Sequence, residues 1–261
     1  GGNACLPAFG AYSVILIGVP VLLRIALAAA CVSLGLAQTP PLLDTLADEL
    51  HRNFRILKEK ADPAPYYISY EVTEQEVAAV SATLGALRSN RRERIRRLDV
   101  SVRIGTPKLD NYHRIAGDRA RFTGGITIPI EDNPAAIRRY LWLETDRVYR
   151  LAAERLIKVR SNQQLKAAEE DDSDDFSAEE PEQYSEPVRR LSFPADEAAA
   201  RVRKWSAAFA RHPLIVFSQA TLTVRRDTRY FVNTEGARIQ HGRGYANITL
   251  YGGGKAADGM D

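Results

Sequence analysis

Apolar residues in this chain recur with one of two periods, and the order in which those periods follow one another leaves few folds open. Between Leu42 and Lys60 they fall at Leu43, Leu46, Leu50, Phe54 and Leu57, the 3.6-residue spacing of a helix with one buried stripe. Asp44 suits its N-cap, and Ala61-Asp62-Pro63 its stop. Pro65 to Val72 then alternates in polarity and is rich in aromatic and β-branched residues, which predicts a strand. A second strand is predicted at Val77 to Leu87, whose Ala78, Ala79, Ser81, Ala82 and Gly85 permit close packing, and a third at Leu98 to Gly105. The helical period returns from Ala135 to Arg160, opened by Pro134 and carried by Ile137, Leu141, Val148, Leu151, Leu156 and Val159. It recurs from Pro194 to Arg211, with Ala198, Val202, Trp205, Ala208 and Phe209 as the stripe and Asp196 and Glu197 at the favourable end. Strands at Leu214–Arg225, Arg229–Asn233, Ala237–Gln240 and Tyr245–Tyr251 close the pattern, Asn233-Thr234-Glu235-Gly236 forming a turn between two of them. Strands grouped apart from helices, with no βαβ alternation, predict an α+β fold: a mostly antiparallel sheet with flanking helices.

The connecting segments carry the charge. Arg88 to Arg97 is the most basic stretch and reads as a hairpin connection with a solvated edge. The sharper alternative, a phosphate or nucleic-acid contact, lacks stacking aromatics or a Gly-rich loop. Residues 106–133 form a long connection with one short strand at Ile126 to Ile130, a length that in compact domains tends to cover a site. Residues 168–187 are acidic, with too little apolar surface to offset ordering, and read as a disordered linker or loop. Asp171, Asp172, Asp174 and Asp175 lack the glycine turn and terminal glutamate of a calcium loop. The organisation is therefore 38–167 as an N-terminal α+β region, 188–252 as the helix and strands completing it, and 253–261 as a flexible tail.

Residues 1–37 read as a bacterial export signal. The only methionine is Met260, so a start at Val19, Val21, Leu22 or Leu23 is expected, giving Arg24, an apolar run Ile25 to Leu36, and a small-residue cleavage site at Ala37. The competing membrane anchor, Val14 to Leu36, would hold Arg24 near mid-bilayer at about 2.5–3.5 kcal/mol and Pro20 as a helix defect. A lipoprotein site at Ala28-Ala29-Ala30-Cys31 is a minor alternative. Cleavage at Ala37 would remove both cysteines, Cys5 and Cys31, leaving no thiol for disulfides, zinc or nucleophilic chemistry. The expected location is periplasmic or secreted, with no membrane contact after cleavage.

Catalytic signatures are sparse. His51, His113, His212 and His241 show no pair at metal-ligand spacing. His51 reads as a surface residue, His212 as a helix-end residue, and His113 and His241 as residues of loops or hairpins that could line a cleft. Serine elbows, Walker loops and dinucleotide fingerprints are absent. A formal net charge of +3, with acidic and basic residues in separate blocks, argues against nucleic acid as a partner.

In the second half, Phe209-Ala210-Arg211-His212-Pro213, Ser218, and Tyr230-Phe231-Val232-Asn233-Thr234-Glu235-Gly236 resemble the N-terminal domain of TldD/PmbA-type metallopeptidases, also called modulators of DNA gyrase. Upstream, Tyr66 to Tyr70, Ala82 to Gly85 with Arg91-Arg92, Asp110-Asn111 and Leu141 to Asp146 resemble a longer, exported branch, as do the acidic linker and Glu186-Pro187. The likeness covers most of residues 42–261. It implies a protein that is catalytically incomplete alone: the family's zinc is held by a His-Glu-x-x-x-His helix and a later cysteine in a C-terminal half, and that motif is missing from these 261 residues. No catalytic or metal residue, and no cofactor, is therefore assigned to this chain, and zinc is expected in the missing half. The resemblance further implies a share in a peptide cleft and association with a homo- or heteromeric TldD/PmbA-like subunit. It makes Asn233, Thr234, Glu235, Gly236, Tyr245 and Tyr251 candidates for peptide or partner contact. The alternative is a stand-alone exported peptide- or protein-binding module without catalysis.

Overall fold

Strands that the sequence divides into pieces run uninterrupted in the structure. A computed structural model of the chain describes residues 42–115, 117–118, 125–165 and 173–254, all within the unit Thr39–Asp261. The expected leader, both cysteines and the tail beyond Gly254 lie outside the described residues. Helix α1 spans Leu42–Lys60. Strand β1 (Pro65–Thr83) merges the two strands expected at 65–72 and 77–87. It turns at Leu84-Gly85 into β2 (Ala86–Thr106). Short strands β3 (Leu109–Asp110) and β4 (Ile126–Ile128) precede α2 (Pro134–Leu165). Next come β5 (Gln183–Ser185), α3 (Ala195–Ala207) with a 3₁₀ turn at Ala208–Arg211, β6 (Ile215–Asn233) and β7 (Arg238–Gly254). The last two replace the four strands expected after residue 214, and β7 extends two residues into the expected tail. Among the described residues no helix is long and apolar enough to cross a membrane.

The seven strands form one sheet in the order β3-β2-β1-β6-β7-β5, with β4 also pairing β2. The pairs β1–β2, β1–β6 and β6–β7 are antiparallel; β5 joins β7 in parallel. The fold is α+β with a mostly antiparallel sheet, as the alternation of periods predicts.

Even-numbered residues of β1 face the helices along its length. Ile68, Tyr70 and Val72 lie in one apolar cluster with α1, α2, Leu98, Val100, Val102 and Tyr230. Val80 and Ala82 lie in a second with Ala198 and Val202 of α3. The tyrosine hydroxyl buried in the first cluster is satisfied: Asn53 Nδ2 donates to Tyr70 at 2.9 Å, and Thr145 lies 2.7 Å away. Asn133 caps α2 just ahead of Pro134, its Oδ1 accepting from the amides of Ala135 and Ala136. Asp44, expected as the N-cap of α1, lies within its first turn and pairs with Arg238.

Between the clusters the same sheet face carries charge. Arg88–Arg97, expected as a hairpin connection, is the first half of β2, with Arg92, Arg94 and Arg96 on the helix-facing side. Arg94 Nη2 reaches Glu74 Oε1 at 2.9 Å, Arg96 Nε reaches Glu74 Oε2 at 3.0 Å, and Arg190 also pairs with Glu74. Arg92 meets Glu76 at 3.4 Å. Arg96 is completed by Asp132 at 2.8 Å and the Pro129 carbonyl at 3.1 Å. Glu74 and Arg96 are 2% and 1% exposed, which charges tolerate only when partnered this fully.

Candidate strand-accepting edge

The six residues singled out by sequence lie on one hairpin but at opposite ends of it. At the turn, Asn233 Oδ1 accepts from the amides of Glu235 (3.1 Å) and Ala237 (2.8 Å), and the Gly236 amide donates to the Asn233 carbonyl at 3.2 Å. Asn tolerates this local bonding, and Gly236 supplies the φ of +103° that closes the loop. Thr234 locks the turn to β1: its amide donates to the Ile68 carbonyl and its hydroxyl accepts from the Ile68 amide at 3.1 Å. The polar groups of Asn233 and Thr234 are thus engaged within the chain. Burial raises the Glu235 carboxyl above its ordinary range.

The turn is also covered from outside. From Ser173 to Leu191 the chain forms a strap across the sheet, where sequence suggests a disordered tract; residues 168–172 of that tract lie outside the described residues. Phe176 packs against Tyr66 and Tyr67, with ring centroids 5.7 and 4.8 Å apart, and the Arg103 guanidinium lies between Phe176 (4.7 Å) and Tyr112 (4.2 Å). Asp175 bonds His113 Nδ1 at 2.8 Å and the Asp110 amide at 2.9 Å. The buried Asp110 carboxylate accepts from Tyr66 (2.6 Å) and from the Tyr112 amide (2.6 Å), and pairs with Arg103. Burial, reinforced by the Asp110 carboxylate, pushes the Tyr66 hydroxyl well above the ordinary tyrosine value. In the sequence the one mark of this network is Phe176, an apolar ring inside an acidic run.

Further on, the strap pairs as β5 with Arg238–Gln240 of β7. The Arg238 amide donates to Glu182 O, the Gln240 carbonyl accepts from the Glu186 amide, and the Gly242 amide donates to the Glu186 carboxylate. Even-numbered residues of β7 therefore turn their backbone groups away from β6. The register with β6 is continuous from Arg238 to Gly253, so Gly244, Ala246, Ile248, Leu250 and Gly252 do the same. Beyond Gly242 no strand among the described residues lies alongside them.

Tyr245 and Tyr251 flank this open stretch on the sheet face away from the helices, about 20 Å apart at the usual rise per residue, and are 50% and 57% exposed. Tyr251 rests on Phe217 with centroids 5.5 Å apart, and Arg225 lies 5.9 Å from the Tyr245 ring. Arg225 Nε in turn bonds Asp227 at 2.7 Å, with Arg243 at 3.5 Å from the other carboxylate oxygen. On the helix side Ile248 and Leu250 are exposed.

His241 lies within β7 opposite Arg229. His51 is exposed on α1 and His212 is exposed after the 3₁₀ turn. Among the described residues no three or more His, Cys, Asp or Glu are grouped so as to hold a metal. The described residues thus offer no ligand set for zinc, which the resemblance places in a C-terminal half.

No family model matches the chain, and no curated protein matches it. Solved structures do. One is TldE from Thermococcus kodakarensis, 12% identical, TM-score 0.46, covering 82% of this chain and 40% of that one. A second is a candidate modulator of a DNA gyrase from Thermotoga maritima, 12% identical, TM-score 0.42, covering 81% and 40%. A third, from Bacteroides thetaiotaomicron and described in the same terms, is 7% identical with a TM-score of 0.43, covering 79% and 40%. The chain spans about 40% of the length of each of these structures.

Proposed function

We propose that this chain is the N-terminal, non-metal-binding part of an exported TldD/PmbA-like zinc metallopeptidase, and that it acts by accepting an extended strand along β7. The motif resemblance through Asn233-Thr234-Glu235-Gly236 supports the family reading. The outward row of backbone groups from Gly244 to Gly252 supports strand acceptance. Strand addition draws its affinity from main-chain hydrogen bonds and its selectivity from side chains at alternate positions, so it needs no catalytic constellation. In the assembled peptidase this edge would contribute to the peptide cleft or to contact with the neighbouring subunit, while bond cleavage belongs to the zinc-bearing half.

The test is hydrogen exchange on dilute protein, with and without an uncharged peptide of about ten alternating valines and threonines. Amides of Gly244, Ala246, Ile248, Leu250 and Gly252 are expected to slow when the peptide is present. Unchanged exchange there, or slowing confined to another part of the sheet, would overturn the reading.

A further inference from the structure

We infer that the strand completing this edge is β7 of a second copy of this chain, antiparallel to the first about a two-fold axis at Ile248. The inference rests on the reading of β7 as a strand-accepting edge and names its occupant.

The open stretch of β7 is unprotected. Exposed edges are ordinarily guarded by charge, proline, a bulge or a covering segment. From Gly244 to Gly254 there is no charged residue and no proline, and no bulge interrupts the register between Arg238 and Gly253. The strap covers β7 only as far as Gly242. What remains includes Ala246-Asn247-Ile248-Thr249-Leu250-Tyr251, an uncharged segment of high β propensity, the composition that associates edge to edge.

The segment also complements itself. An axis at Ile248, the middle of the open run, sets Ile248 against Ile248, Ala246 against Leu250 and Gly244 against Gly252, all with backbone groups turned outward. About ten main-chain hydrogen bonds would form. On the face away from the helices, the same register sets Tyr245 against Tyr251 and Asn247 against Thr249, pairings of the kind that stabilise sheets. Arg243 falls opposite Gly253, so no like charges meet. On the helix side, Ile248 and Leu250, 54% and 57% exposed, join their counterparts in one apolar strip. Both sides of an isologous contact are thereby supplied by a single segment.

Sedimentation velocity of the purified protein is expected to show a dimer at about 100 µM that dissociates on dilution. Ile248→Lys, which sets two ammonium groups face to face, is expected to give a monomer with unchanged circular dichroism. Register is read by cysteine cross-linking in a background with Cys5 and Cys31 replaced by serine. An Asn247→Cys chain mixed with a Thr249→Cys chain should form a disulfide-linked pair, and either alone should not. A dimer that survives Ile248→Lys, or that fails to cross-link, would overturn the inference. So would a wild-type monomer at about 100 µM. If that monomer still shows peptide-dependent slowing of the Gly244–Gly252 amides, strand acceptance stands and only the second copy is lost; if it does not, both fall.

Discussion

Asp227 is nearly buried on the sheet face away from the helices, and the groups around it decide its charge. Burial works to raise its carboxyl, but the hydrogen bond and charge of Arg225, with Arg243 opposite, hold it below the ordinary range. A carboxylate depressed in this way stabilises the folded state fully above its unfolded value of about 3.9, and that stabilisation is lost as pH falls through the lower folded value. Urea unfolding of the wild type and Asp227→Asn should therefore differ by a constant amount from neutral pH down to about 4 and converge below it. An unchanged difference at pH 2 would exclude this role. The pairing of Asp227 with Arg243 was hidden in the sequence, as was that of Glu74 with Arg96. Partners 16 to 22 positions apart meet only once strand register is set. A run of arginines carries no hydrophobic period, so Arg88 to Arg97 looked like solvated connection until Glu74 and Glu76 stood across from it.

At the scale of elements, the helices were legible because an amphipathic stripe repeats over many residues, as in Leu43, Leu46 and Leu50. Strand boundaries were less so. Thr73 to Glu76 and Arg226 to Thr228 are polar interruptions in long strands, and a polar interruption resembles a turn unless its cross-strand partners are known. The real turn between β1 and β2 was missed for the opposite reason: Leu84 is not a turn residue. Both Leu84 and Gly85 have positive φ, 47° and 87°, the signature of a two-residue type I′ hairpin that favours Asn-Gly. Leucine there carries the left-handed penalty without a compensating local bond. Leu84→Asn is expected to stabilise the protein by about 1 kcal/mol, read as a higher urea midpoint with an unchanged slope. A lower midpoint would mean that the half-exposed leucine contributes packing that outweighs its backbone cost.

Across the whole molecule, the strap ties the outer strand β7 to two places on the central strand β1. Its Phe176 sits against Tyr66 and Tyr67 at one end, its β5 on β7 at the edge, and its Arg190 on Glu74 beneath the helices. Phe176→Ala removes the apolar anchor that the described residues provide at the first of these attachments. Limited proteolysis is expected to cut the variant between Ser173 and Glu182 several times faster than wild type, with the sheet itself intact. Equal cutting rates would show that Asp175, through His113 and the Asp110 amide, suffices to hold the segment. The acidic composition of the tract concealed this seating, because composition reports average solvation and one well-placed ring can override it.

The central strand imposes an order in time on all of this. β2 follows β1 at once through a two-residue turn, whereas β6 begins only after roughly 130 further residues have been made. Until it arrives, the backbone edge of β1 from Ser69 to Ala82 is an unpaired template. The nascent chain is therefore most open to mispairing along this edge in the interval before β6 closes.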